Sequence, residues 1–201
     1  DRPRGRIKLV TTAGADAGFL DLGFPPQAVA AAGGKLYASP FVLTPDRSSL
    51  LHRVEPGPPG PPVRALDVAP LVDDDPGWTA LGNMVALAAA PDGTLLMAHR
   101  LARARAFLLP PGGSAPRRVP LAVEDREAAR LGVRPPTPFG EEALARIAVP
   151  VVDAAGGPAP GSFAYLTRSG QRPADGPPPK LLVGLGPDGA VRTVHRVPVD
   201  A

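Results

Sequence analysis

The chain has 201 residues, of which 44% are hydrophobic, enough to bury a core in one sizeable domain. Its 23 Gly and 29 Pro fill about a quarter of the positions, which excludes a fold built on long helices. A formal net charge of +3 implies no nucleic-acid partner.

The absence of cysteine excludes disulfides, thiolate metal sites and cysteine nucleophiles, and leaves the compartment open. The chain starts at Asp1 without an initiator Met, as a processed secreted protein or a portion of a longer one would, so a periplasmic or secreted location is expected. The longest apolar run, Met84 to Ala90, is far below the roughly 18 residues that cross a bilayer, so no membrane span is expected. Heavy use of Ala, Arg, Pro and Gly looks like GC-rich coding, a bias to discount before any Pro or Arg is given a role.

Pro/Gly clusters at 56–62, 110–116, 135–138, 156–161 and 173–179 divide the chain into short blocks. Between them, Val- and Leu-rich segments read as strands: 7–11, 50–55, 63–68, 85–89, 94–99, 119–123, 146–152, 181–185 and 190–197. One stretch differs. Glu124 to Leu131 (EDREAARL) has early acids, Ala-rich filling and a late Arg130 before Gly132, the charge order and stop signal of a short helix inserted at 124–132.

Two segments align without a gap. Ala88 to Arg100 and Gly184 to Arg196 each run from an apolar stretch through Pro-Asp-Gly into a second strand ending in His-Arg. Pro presets its φ, Asp bonds nearby backbone, and Gly supplies the positive φ of a tight turn. Weaker copies lie at Pro45 to Arg53 and at Ala31 to Ala38, the latter turning on Gly33-Gly34. His52, His99 and His195 then suggest a period near 48 residues, in the range of propeller blades, with the three histidines at equivalent places.

Residues 85–100 and 181–197 resemble the inner hairpin of β-propeller blades, in the broad group of NHL-repeat, lactonase-like and esterase-like phytase propellers. The resemblance implies an all-β fold: propeller-like blades of antiparallel strands with long Pro/Gly loops and the one helical insertion. It covers two hairpins and implies architecture far more than activity. The chain is thus expected to form a single propeller-like domain over 1–201, as part of a larger propeller, an open blade array or a self-associating fragment.

Chemical motifs are sparse. Gly184 to Gly189 satisfies G-x-G-x-x-G, but Pro187 offers no N–H to a pyrophosphate and the following residues alternate like a strand, so no dinucleotide site is expected. Asp73, Asp74 and Asp75 place three carboxylates on a presumed loop beside Trp78, a weak candidate for Ca²⁺; a solvated turn is the plainer expectation, and no cofactor is assigned. A three-histidine metal site is disfavoured by the Arg that follows each His. No G-x-S-x-G or H-E-x-x-H occurs, and Glu141-Glu142 would face opposite ways on a strand.

Arg100, Arg103, Arg105, Arg117 and Arg118 form the one basic concentration, brought together if 94–109 and 117–123 are neighbouring strands. With Trp78 they are the candidate contact residues. The expected function is therefore a non-catalytic extracytoplasmic interaction module, an accessory or structural subunit contacting other protein subunits, with self-association as a further option. The alternative is a metal-dependent propeller hydrolase of the lactonase or esterase-like phytase type.

Overall fold

A computed structural model describes residues 5–40, 50–54, 63–66, 84–100, 105–111, 116–121, 153–168 and 180–197. The proposed helix at 124–132 and the strand expected at 146–152 lie outside these residues.

Every described element is a strand. In chain order they are β1 (Arg6–Val10), β2 (Asp16–Asp21), β3 (Pro26–Ala32), β4 (Lys35–Pro40), β5 (Leu51–Val54), β6 (Val63–Leu66) and β7 (Val85–Ala89). There follow β8 (Leu95–His99), β9 (Arg105–Leu109), β10 (Arg117–Pro120), β11 (Asp153–Gly156), β12 (Phe163–Arg168), β13 (Lys180–Leu185) and β14 (Val191–Val197). They form a two-stranded sheet, β1-β2, and three four-stranded sheets, β3 to β6, β7 to β10 and β11 to β14. All pairings are antiparallel and join successive strands, and none of the sheets is closed.

The sheets stack in chain order, and three apolar clusters fill the spaces between them. Ile7 and Leu20 of the β1-β2 hairpin meet Leu36, Ala38 and Val54 of the next sheet. The opposite face of that sheet, with Ala30, Ala32, Tyr37 and Leu51, meets Val85, Leu95, Met97, Phe107 and Leu109. The far face of β7 to β10, with Ala86, Ala88, Leu96, Ala98 and Leu108, packs on Phe163, Tyr165, Leu181, Val183 and Leu185. The sheet β7 to β10 is thus apolar on both faces. That is why Leu95–His99 reads as a continuous run and not an alternation, all five residues being buried.

First strands lie side by side, with β7 between β3 and β11. All three are rich in Ala or Gly, PQAVAAA, VALAA and DAAG, so their backbones can approach closely. The limit is reached at Gly156, where a Cβ would overlap the Ala89 carbonyl oxygen.

The Pro-Asp-Gly turns form as the sequence predicts. In each, the Gly N–H donates to the residue three before it (Gly93 to Ala90 O, 3.0 Å; Gly189 to Gly186 O, 2.8 Å), with Gly φ at 86° and 80°. The same turn joins β1 to β2, where Gly14 N–H donates to Thr11 O at 2.9 Å, although no Pro-Asp marks it.

The periodicity needs correction. Asp92 turns the first strand of its sheet into the second, whereas Asp188 turns the third into the fourth. His52, His99 and His195 lie on third, second and fourth strands respectively, so they are not equivalent, and the 48-residue spacing does not measure a sheet. Turn chemistry is local and recurs wherever a tight hairpin is needed, which is why it matched across different positions.

Asp92 and Asp188 stabilise their turns as carboxylates. The Asp92 carboxylate accepts the Thr94 N–H at 3.0 Å and the Thr94 hydroxyl at 3.0 Å, and the Asp188 carboxylate accepts the Ala190 N–H at 3.0 Å. These backbone bonds are the leading cause holding both groups below the ordinary aspartate range; the Gly161 N–H adds to the effect at Asp92, and the Arg192 charge at Asp188. A depressed folded-state pKa gives stability that is present above the ordinary value and is lost as pH falls through the folded value. A D92A/D188A variant should therefore show a shallower fall in stability below about pH 4 than the parent, measured by urea melts at stepped pH.

Candidate functional site

The two ends of the stack differ in chemistry. At one end lie the tight turns, among them Gly33-Gly34 and those of Asp92 and Asp188. At the other, β3, β7 and β11 begin and β4, β8 and β12 end. All four buried polar residues among those described sit at this second end: Ser39 (0% exposed), His52 (6%), His99 (0%) and Thr167 (1%).

Each is placed by its strand. Ser39 precedes the last residue of β4, His52 is the second residue of β5, opposite Ala38, His99 closes β8, and Thr167 stands one from the end of β12. The His52 ring lies against Phe24, with centroids 4.8 Å apart, and His99 lies 6.2 Å from Phe107 on β9. Thr167 Oγ1 is buried with no hydrogen-bond partner among the described residues.

Gln27 ties this end together. Its amide nitrogen donates to Ser39 Oγ at 3.1 Å and to the Pro40 carbonyl at 2.9 Å, and its Oε1 accepts the Val85 N–H at 3.1 Å. One side chain thereby joins β3, β4 and the start of β7, across two sheets. Because Val85 is 1% exposed, its N–H has no easy recourse to water once Gln27 is gone. Gln27→Leu should cost about 1–3 kcal/mol, the penalty of a buried donor left unsatisfied, read as a lower urea midpoint at unchanged slope.

The proposed basic cluster is divided by the fold. Arg100, just past β8, and Arg105, at the start of β9, both lie half-buried at the polar end; the Arg100 N–H donates to Met84 O at 2.7 Å. Arg118 is exposed in the middle of β10. Arg117 lies toward the turn end, paired with Leu108, and its guanidinium donates to the Asp188 carbonyl at 2.7 Å and the Pro187 carbonyl at 2.9 Å. Strands β9 and β10 are neighbours as expected, but antiparallel register sends their arginines to different heights. Arg103, Trp78, Asp73, Asp74 and Asp75 lie outside the described residues, as do Glu141 and Glu142.

Of the histidines, His52 and His99 are buried, whereas His195 is exposed on β14. Residues 184–189 run from β13 into the turn to β14 and open no helix, as their Pro suggested. Sequence reasoning missed Gln27, Ser39 and Thr167. Their signal is positional: a lone polar residue beside a strand terminus means little until the sheets are stacked.

Among the described residues no group of three carboxylates or histidines is placed to hold a metal, and no helix is long and apolar enough to cross a membrane. No protein-family model matches the chain, and no curated protein matches it.

Proposed function

We propose that the chain is a propeller-like interaction module that offers one end of its stack to a partner protein, as an accessory subunit of a larger assembly. Side-by-side first strands, each opening a four-stranded antiparallel meander, support the blade comparison. The observation that carries the functional reading is the segregation of connections. Four connections of ten or more residues, 41–50, 67–84, 121–152 and 169–179, join strands at the polar end, while those joining strands at the turn end, 55–62 the longest, span eight residues or fewer. Long connections held at one end of a rigid scaffold are the usual carriers of binding.

Cross-linking of the native assembly, with cross-linked peptides mapped by mass spectrometry, tests this. Contacts concentrated in 67–84 and 122–152 support it. Contacts confined to the turn end, or none at all, overturn it.

A second reading, a metal-dependent hydrolase of the propeller type, is favoured by one observation. The acids Asp73, Asp74, Asp75, Glu141 and Glu142 all belong to segments joining strands at the polar end. Stoichiometric Ca²⁺ or Zn²⁺, lost on chelation together with ester or lactone hydrolysis, would select it.

A further inference from the structure

Asp92-Gly93 and Asp188-Gly189 close the same kind of turn, each Gly N–H donating to the carbonyl three residues back. An Asp-Gly bond carries a latent reaction. The Gly amide nitrogen attacks the Asp side-chain carboxyl carbon, a C–N bond forms, and the carboxyl O–H leaves with the amide proton as water, giving a cyclic imide. Water then adds to the imide. Breaking the C–N bond at the former main-chain carbonyl leaves isoaspartate, with one extra methylene in the backbone. Glycine favours the attack because no Cβ blocks the approach. The reaction requires a neutral carboxyl that can swing onto the amide, and room for a longer main chain.

At Asp92 the fold opposes each of these. The carboxylate accepts the Thr94 N–H and the Thr94 hydroxyl, both at 3.0 Å, and also the Gly161 N–H from the β11-β12 turn of the next sheet. Two sheets therefore hold it in place and in its charged form. Gly93 itself backs onto the main chain of the preceding sheet, where an added Cβ would lie 2.9 Å from Gly33 Cα. A lengthened turn has nowhere to go.

At Asp188 the same bend is held more loosely. Among the described residues every donor to its carboxylate comes from its own hairpin: the Ala190 N–H at 3.0 Å and the Arg192 guanidinium at 2.7 Å. Ala190 has no hydroxyl to repeat the second bond of Thr94. Both partners of the Arg192 pair are more than half exposed, so water and salt compete with it readily. An added Cβ at Gly189 would meet only the Val119 side chain, which can turn aside as a backbone cannot.

We infer that Asp188-Gly189 is a site of spontaneous isoaspartate formation in the folded protein and that Asp92-Gly93 is protected from it. The modification acts on packing between sheets. Arg117 of β10 donates to the Pro187 and Asp188 carbonyls at 2.9 and 2.7 Å, and an extra methylene at Asp188 displaces those acceptors, loosening the β13-β14 turn from β10. This goes beyond the interaction reading above and involves none of the same residues.

The folded chain is incubated in heavy-oxygen water at mildly acidic pH and digested, and the two Asp-Gly peptides are followed by mass spectrometry. Each imide opening inserts one heavy oxygen, and isoaspartyl peptides fragment differently from aspartyl ones. Isoaspartate at position 188 should accumulate at least about fivefold faster than at 92, a ratio set by how readily each turn opens. In strong urea the two rates should converge to within about twofold, because both bonds share the sequence Pro-Asp-Gly and lose their folded partners. Ala190→Thr, at an exposed position, supplies the hydroxyl donor that Thr94 supplies to Asp92, and should slow the reaction at Asp188 by about twofold or more. Equal rates in the folded chain, a faster reaction at Asp92, a difference that survives urea, or indifference to Ala190→Thr would overturn the proposal.

Discussion

Gly156→Ala should destabilise the protein by about 3 kcal/mol or more, an unusually large effect for one methyl group on a strand. The added carbon would overlap the Ala89 carbonyl oxygen and approach the Ala90 Cα at 3.3 Å, so backbone, not a flexible side chain, must give way. Relief requires β11 to move off β7, and that opens the cluster in which Ala154 packs against the buried face of β7 to β10. A matched control lies next door. Ala155 is exposed, and Ala155→Gly should cost only about 0.5–1 kcal/mol through backbone entropy. Urea melts of the two variants compare close approach with intrinsic preference; similar midpoints would show that β7 and β11 do not constrain each other.

Gly93→Ala should rank second, at roughly 2–4 kcal/mol, because two costs combine. Its φ of +86° is unfavourable for any residue with a Cβ, and that Cβ would lie 2.9 Å from Gly33 Cα and 3.0 Å from Gly33 N, in the turn of the preceding sheet. Gly14 provides the comparison. It closes the same kind of turn with φ +81° but has nothing within 4 Å of an added Cβ, so Gly14→Ala should cost only the conformational part, about 1–2 kcal/mol. The difference between the two variants measures how tightly the β3-β4 and β7-β8 turns press together. Equal losses would mean that the contact is soft.

These positions show how much was legible in the sequence. Val85–Ala89 was readable to the residue, and β8, β13 and β14 nearly so, since each couples Val/Leu content to a recognisable turn. β2 (DAGFLD) and β11 (DAAG) were missed because acids, Gly and Ala carry no strand preference of their own; layers on either side hold them in place. The small-residue first strands were a signal in plain view, but their meaning depends on backbones meeting across layers. Turn chemistry was read correctly and then overextended, from identical bends to identical places in a repeat. Of the candidate contact residues, Arg100, Arg105, Arg117 and Arg118 could be placed only once register was known, and Gln27 joins elements 58 residues apart at Val85, a distance no local pattern spans.

Among the described residues every sheet is made from strands that follow one another in the chain. Cooperativity in such a molecule resembles that of a short one-dimensional array, each unit held by its own ladder and by the neighbours it touches. The β7 to β10 unit, flanked on both sides, should be the last to exchange its amide protons. The outermost units should fray first, so that partial denaturation peels the molecule from its two flanks inward rather than melting it at the centre.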